Sequence, residues 1–231
     1  MVVLMAMTAT APAQSADQTV QAALRGIGAG NPHAAWVALP DAYRQDLTSL
    51  AHSAAGDVDP VVWDRAFAVA AKLVDVLKTK KQMVLASPVV VAAGLPSEQV
   101  EPAYDNAVEM FALVVRSELA TSKSATQLDV GRFTQTTGSA LLSRAMTLHE
   151  QLGYGASLPA RLRDATVTLV SEQQGSATLK LEAPGESPRT ETFVQVEGKW
   201  VPRSLAENWS GHVANVRAHF AATPPPDSKQ L

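Results

Sequence analysis

The chain has 231 residues, a formal net charge of −3 and a 46% share of hydrophobic residues. That length suits one large domain or two small ones with a substantial core, and the faintly acidic balance argues against nucleic acid, which selects a basic face. The absence of cysteine excludes disulfides, thiolate catalysis, cysteine-rich zinc sites and a lipid anchor on cysteine.

The chain opens on an apolar run, MVVLMAM, followed by the small-x-small triplet Ala11-Pro12-Ala13 and Gln14. The pattern predicts the end of a secretory signal peptide over 1–13, and with it a periplasmic or secreted protein. The first cation is Arg25, so the basic opening of such a signal is missing, which leaves an apolar tail as the other reading. No other stretch approaches the ~18 uninterrupted apolar residues of a membrane span, so no transmembrane span is expected.

The helical elements come first. Val20, Leu24 and Ile27 share one side of a helix over 17–27, ended by Gly26, Gly28 and Gly30. The GIGAG run is half of a phosphate-binding loop, but a dinucleotide fingerprint needs a strand before it, and here a helix precedes; a glycine stop is the better reading. Asn31 and Pro32 open a short helix carrying Trp36, Val37 and Leu39, which Pro40 breaks. A further helix over 41–54 carries Tyr43, Leu47 and Leu50 inward and ends at Gly56.

The segment 59–81 is the strongest of all. Asp59 caps it and Pro60 takes the first helical position. Trp63, Phe67, Ala70, Val74 and Leu77 form one stripe; Val62, Ala66, Val69, Leu73 and Val76 form a second beside it. So wide an apolar face predicts a helix buried on much of its circumference. Lys78, Lys80 and Lys81 crowd its last turn, where cations suit the helix dipole.

Residues 82–93, broken by Pro88, predict a short helical turn crossing the core, and 94–97 reset the chain. A long helix follows over 98–119, with Val100, Ala103, Ala107, Met110, Phe111, Val114 and Val115 inward. Another covers 128–152, with Val130, Phe133, Leu141, Ala145, Leu148 and Leu152 inward, and Gly153-Tyr154-Gly155 stops it.

The period then changes to two. The segments 165–172, 176–182 and 190–196 alternate as strands, with turns at Gln174-Gly175, Pro184-Gly185 and Glu197-Gly198. Trp200, Val201 and Pro202 make a short fourth strand at an edge or a strand end. A closing helix over 204–222 carries Leu205, Trp209, Val213, Val216 and Phe220, and the proline-rich tail 223–231 is expected to be disordered.

Two resemblances arise on these segments. LPDAYRQDL, from Leu39 to Leu47, and the helix opening on Asp59-Pro60 and ending in KTKK resemble stretches of secreted bacterial proteins of no assigned activity. They imply no catalytic residues. FVQVEGKW, feeding the closing helix, resembles the sheet of nuclear-transport-factor-like or SnoaL-like α+β cones. That family shelters a pocket between a first helix and its sheet; here far more helix precedes the sheet than the family pattern needs, so the pocket is not carried over.

The candidates for chemistry are few. Asn208, His212, Asn215 and His219 share one face of the last helix, but no carboxylate stands among them to complete a metal motif, and a solvated helix face explains them better. Glu101, Asp105 and Glu109 form an acidic stripe that could hold a divalent cation or an acid–base pair; acids are also favourable in the first half of a helix. His149 and Glu150 fit a solvated helix end. Asn208-Trp209-Ser210 is a glycosylation sequon inside a helix and is discounted. No nucleophile elbow or phosphate loop occurs.

The sequence therefore predicts an α+β fold, a helical array followed by a three- or four-strand antiparallel meander and a closing helix. The helical array takes 14–160, and the sheet with its closing helix takes 161–222, the two sharing one core through the wide faces of the helices at 59–81 and 98–119. No catalytic residue, cofactor or metal ligand is assigned. The expected function is an exported non-catalytic protein that binds a partner protein or an apolar ligand; the alternative is a small-molecule hydrolase or isomerase with a pocket at the sheet. A deep pocket with converging polar groups favours the enzyme, an exposed apolar patch the binder.

Overall fold

A computed structural model describes residues 15–88, 97–153 and 158–222. The expected signal peptide over 1–13, the tail 223–231, the end of the 82–93 segment with most of the reset after it, and Tyr154-Gly155 lie outside the described residues. In chain order the elements are α1 (Ala16–Gly28), α2 (His33–Ala38), α3 (Asp41–Gly56), α4 (Pro60–Thr79), α5 (Lys81–Leu85), α6 (Ser97–Val115), α7 (Ser122–Ala125), α8 (Val130–Gln135), α9 (Thr137–Gln151), α10 (Leu158–Arg163), β1 (Thr166–Gln173), β2 (Ser176–Glu182), β3 (Arg189–Val196), β4 (Lys199–Pro202) and α11 (Arg203–Ala222). This is the expected α+β class: a helical array, a four-strand antiparallel sheet in the order β1-β2-β3-β4, and a closing helix.

Side-chain caps set several helix starts. The Asp59 carboxylate accepts from the N–H groups of Val61 at 2.8 Å and Val62 at 3.1 Å. Asp129 accepts from Arg132 N–H at 2.9 Å and starts α8. The helix expected over 128–152 is two, α8 and α9, because Thr136 leaves the helical region at φ −105° and ψ −89°. Two consecutive threonines followed by Gly138 give this point poor helix propensity. The helix expected to reach 119 stops at Val115, where the Ser117 hydroxyl donates to Val114 C=O at 2.7 Å and accepts from Leu119 N–H at 3.1 Å.

Both two-residue hairpins carry positive φ at both central residues: Gln174 and Gly175 at 35° and 78°, Glu197 and Gly198 at 50° and 73°. That is the primed turn whose twist matches antiparallel strands. The register places Leu169 opposite Leu179 and Ser171 opposite Thr178, so Val170 is the extra residue of a bulge in β1. Pro202 ends β4, an outer strand, as its missing N–H requires.

Among the described residues two clusters of buried apolar side chains stand out, with others, such as Tyr43, Leu50 and Leu128, buried outside them. The first lies between α1 and the sheet: Ala16 and Val20 against Ala177, Leu179, Phe193 and Trp200. The second lies between α4 and α6: Val74, Val108, Ala112 and Val115, with Phe67, Leu77 and Tyr104 packed on them. This corrects the expectation that α4 and α6 cover the sheet. The cover is α1, joined by α11 on β3 and β4. The amphipathic stripe of α1 is long enough for a short sheet, whereas α6 is occupied by α4 on one side and α9 on the other.

Three contacts tie the sheet and closing helix to the array. The Glu197 carboxylate, in the β3–β4 turn, accepts from Ala42 N–H at 3.1 Å in the first turn of α3. Trp209 of α11 stacks on Tyr43 of α3 at 4.0 Å and 7°, and its Nε1 donates to Asp46 at 2.8 Å. Gln21 of α1 donates to Ala165 C=O and accepts from Val167 N–H, each at 2.8 Å.

Candidate functional site: an apolar trough on the outer face of α4

Among the described residues helix α4 packs against α6, the segment after it and α5, and one side of it is left exposed. Its first stripe turns to α6, where Val74 is fully buried and Tyr104 Oη donates to Leu77 C=O at 2.8 Å. Trp63 Nε1 donates to Leu119 C=O at 2.8 Å, and Asp64 accepts from Ser122 N–H at 2.7 Å, so the N-terminal half is held by the segment after α6. The second stripe faces outward. Val69 is 65% exposed, Leu73 47% and Val76 51%, with Val61 at 56% beside them. The expectation of a helix buried on much of its circumference is corrected by these exposed side chains: periodicity marks a stripe as apolar without saying what covers it.

Along this stripe runs a trough of about 660 Å³, lined by Val61, Val62, Ala66, Val69, Leu73 and Phe111 of α6, with Asp59 at one end and Arg65 on the rim. Lys72, seven residues from Arg65, lies on the same side of α4. Neither Arg65 nor Lys72 is in an ion pair among the described residues, whereas Lys78 and Lys81 at the far end are paired. Met83 of α5 is 67% exposed, so this part of the 82–93 segment lies at the surface and does not cross the core.

The acidic stripe of α6 has a structural partner. Lys81 Nζ lies 2.8 Å from Glu101 and 2.7 Å from Asp105, and Lys78 Nζ lies 2.7 Å from Glu109. The hydrogen bonds that Lys81 donates to Asp105 and then Glu101 hold it above the ordinary lysine range, and the hydrogen bond from Lys78 holds Glu109 below the ordinary carboxylate range. The Lys78 pair joins α4 to α6, and the Lys81 pairs join α5 to α6.

Asn208, His212, Asn215 and His219 are all exposed on α11. Among the described residues no three His, Asp or Glu side chains converge as a metal would require. The glycine run is a close-packing device: a Cβ at Gly26 would collide with Ala34 of α2, and one at Gly28 with the Arg163 backbone of α10. A hollow on α3 of about 470 Å³, lined by Arg44, Thr48 and His52, is shallow. His52 Nε2 is 2.9 Å from Leu128 C=O, and Thr48 donates to Arg44 C=O at 2.8 Å.

At the sheet, a hollow of about 200 Å³ lies between Leu24, Leu162 and Leu181, with Arg161, Glu182, Glu186 and Arg189 round it. Arg161 is 2.8 Å from Glu186, and Glu182 is 2.9 Å from Lys180. Ligand pockets run from ~300 to 1,000 Å³, so this hollow is small.

Val61 and Arg65 are trough residues that sequence reasoning did not single out, and Phe111 was expected only as an inward residue of its own helix. The available signal was the second stripe of α4, one more than a single neighbour covers. Compared with known families, with curated proteins and with solved structures, the chain matches none. No described helix is long and apolar enough to cross a membrane.

Proposed function

We propose that this protein is an exported, non-catalytic binder that receives a partner protein or an apolar ligand along the outer face of α4. The observation that carries the reading is the exposed row Val69, Leu73 and Val76 beside the trough. A contiguous apolar surface on a folded chain marks an interaction site far better than scattered exposed residues do. Export rests on the apolar opening and Ala11-Pro12-Ala13.

An environment-sensitive apolar dye tests the surface. Saturable binding is expected, and both Val69→Asp and Leu73→Asp should abolish it without lowering the melting temperature. Dye binding unchanged in both variants ends the reading. Fractionation with N-terminal sequencing tests export: a product retained in the cytoplasm with Met1 in place contradicts it.

The second reading, a small-molecule hydrolase or isomerase, draws on the Arg161, Glu182, Glu186 and Arg189 side chains round the sheet hollow and on the resemblance of FVQVEGKW to the α+β cones. Arg161 and Glu186 are engaged with each other and Glu182 with Lys180, which favours the binder.

A further inference from the structure

We propose that the occupant of the α4 trough is one amphipathic helix of about four turns whose apolar stripe is flanked by acidic residues. This deepens the binding reading above and rests on it.

Spacing is the first support. Val62, Ala66, Val69, Leu73 and Val76 advance by four, three, four and three residues. That alternation is the seam by which one helix receives the side chains of another. Ala66 in the row leaves room for a close approach. From Val62 to Val76 the seam runs about 21 Å at ~1.5 Å per residue, the length of four helical turns.

Shape is the second. The trough is open along α4 and walled on one side by Phe111. Small-ligand sites bury ~70–90% of their occupant, which a trough lined by one helix and one neighbouring ring does not do. A helix needs only its stripe covered.

Charge is the third. Arg65 stands on the rim and Lys72 two turns on along the same side of α4, both exposed and unpaired among the described residues. They take the place of the rim charges that choose partners between paired helices, and they select acids. A second copy of α4 laid antiparallel would set Arg65 and Lys72 against their own counterparts, which repel. An anionic bilayer would find only two cations, Arg65 and Lys72, with Asp59 at the end of the trough, whereas helices that lie on membranes carry a polar face rich in Lys and Arg.

The test uses the full chain and two labelled synthetic peptides of about 18 residues with the same leucine seam, one carrying Glu and the other Lys at the flanking positions. Fluorescence anisotropy at low salt should show the Glu peptide binding about ten-fold tighter or better, an advantage that shrinks as salt is added. The double variant Arg65→Glu/Lys72→Glu, at exposed positions, should invert the preference while keeping the wild-type melt. Equal affinity for both peptides overturns the acidic-flanked helix and leaves the binding reading standing. So does the absence of peptide binding where the apolar dye still binds and Leu73→Asp removes it. If neither dye nor peptide binds, both readings fall. Tighter binding to phosphatidylglycerol vesicles than to the Glu peptide, lost in the double variant, overturns the proposal in favour of a membrane surface. A dimer in sedimentation that Leu73→Asp dissolves overturns it in favour of a second copy.

Discussion

Glu197 and Trp209 each serve two elements at once. Glu197 sits in a left-handed turn conformation at φ 50° and caps α3 from the opposite end of the chain. Losing a cap costs about 1 kcal/mol, so Glu197→Ala should lower stability by that amount and Glu197→Gln by less. Trp209→Ala removes both the stack on Tyr43 and the hydrogen bond to Asp46, and should cost about 3 kcal/mol; Trp209→Phe keeps a ring for the stack and should cost about 1 kcal/mol. Urea unfolding of the variants measures both.

The ion pairs give the pH dependence its sign. Glu109 titrates below its ordinary value, so its contribution is present above the unfolded carboxylate range, near pH ~4, and is lost as pH falls through the folded value. Lys81 titrates above its ordinary value because Asp105 and Glu101 hydrogen-bond to it. Tyr43 and Tyr104 are also raised, chiefly by burial, with Glu197 and Asp105 adding to it. All three contributions are complete below pH ~10 and are lost as pH rises through the raised values. Unfolding midpoints should therefore be flat near neutrality and fall in strong acid and above pH ~10. The variant Glu101→Gln/Asp105→Asn should start less stable near neutrality and show a shallower alkaline fall, because the Lys81 contribution is already gone, and an unchanged fall would sink that assignment.

At the scale of elements, the two stripes of α4 should behave oppositely. Val74→Ala deletes two methyl groups from a fully buried site and should cost about 2 kcal/mol. Val69→Asp alters a side chain that is 65% exposed and should stay within about 0.5 kcal/mol, while removing dye binding. Thermal melts of the two variants separate the stripes, and a large loss in Val69→Asp would mean that the outer stripe is core. In the sequence both stripes read as apolar at helical spacing, with Trp63 and Phe67 in the first alone, and spacing does not say which of them finds a neighbour. That is why the trough was hidden although its residues were in plain sight. The meander was legible because the two-residue period of Ala177, Leu179 and Leu181 and the positive-φ turn residues are local signals. The break at Thr136 and the early end of α6 were not, since both depend on a few hydrogen bonds of Thr and Ser side chains rather than on the apolar pattern. The pairing of the Glu101, Asp105 and Glu109 stripe with Lys78 and Lys81 needed the antiparallel approach of α4 and α6, which spacing alone does not supply.

For the whole molecule, chain order and packing order differ. α1 belongs to the first half of the chain and yet covers the sheet in the last third. A fragment that begins at α10 would therefore expose Leu179, Phe193 and Trp200, which are buried in the intact chain. We expect one cooperative transition, with helical signal and tryptophan fluorescence lost together. Calorimetry and limited proteolysis check it. Two resolved transitions, or a stable fragment ending near residue 153, would show that the α4–α6 cluster and the sheet fold apart.

The Gln21 side chain has a consequence for solubility. β1 is an outer strand, and an outer strand offers its free N–H and C=O groups to any strand of another molecule. Gln21 occupies two of those groups at the start of the strand, at Ala165 and Val167. The bulge at Val170 bends the remainder and spoils its register for a newcomer. The glutamine is thus a stopper for an edge that would otherwise polymerise, with the exposed Leu169 and Val170 as its adhesive. Gln21→Ala should lower stability by only about 1 kcal/mol and yet raise the rate of fibrillar aggregation at high concentration, read by light scattering and thioflavin fluorescence. The same variant with Val170→Lys should stay clear.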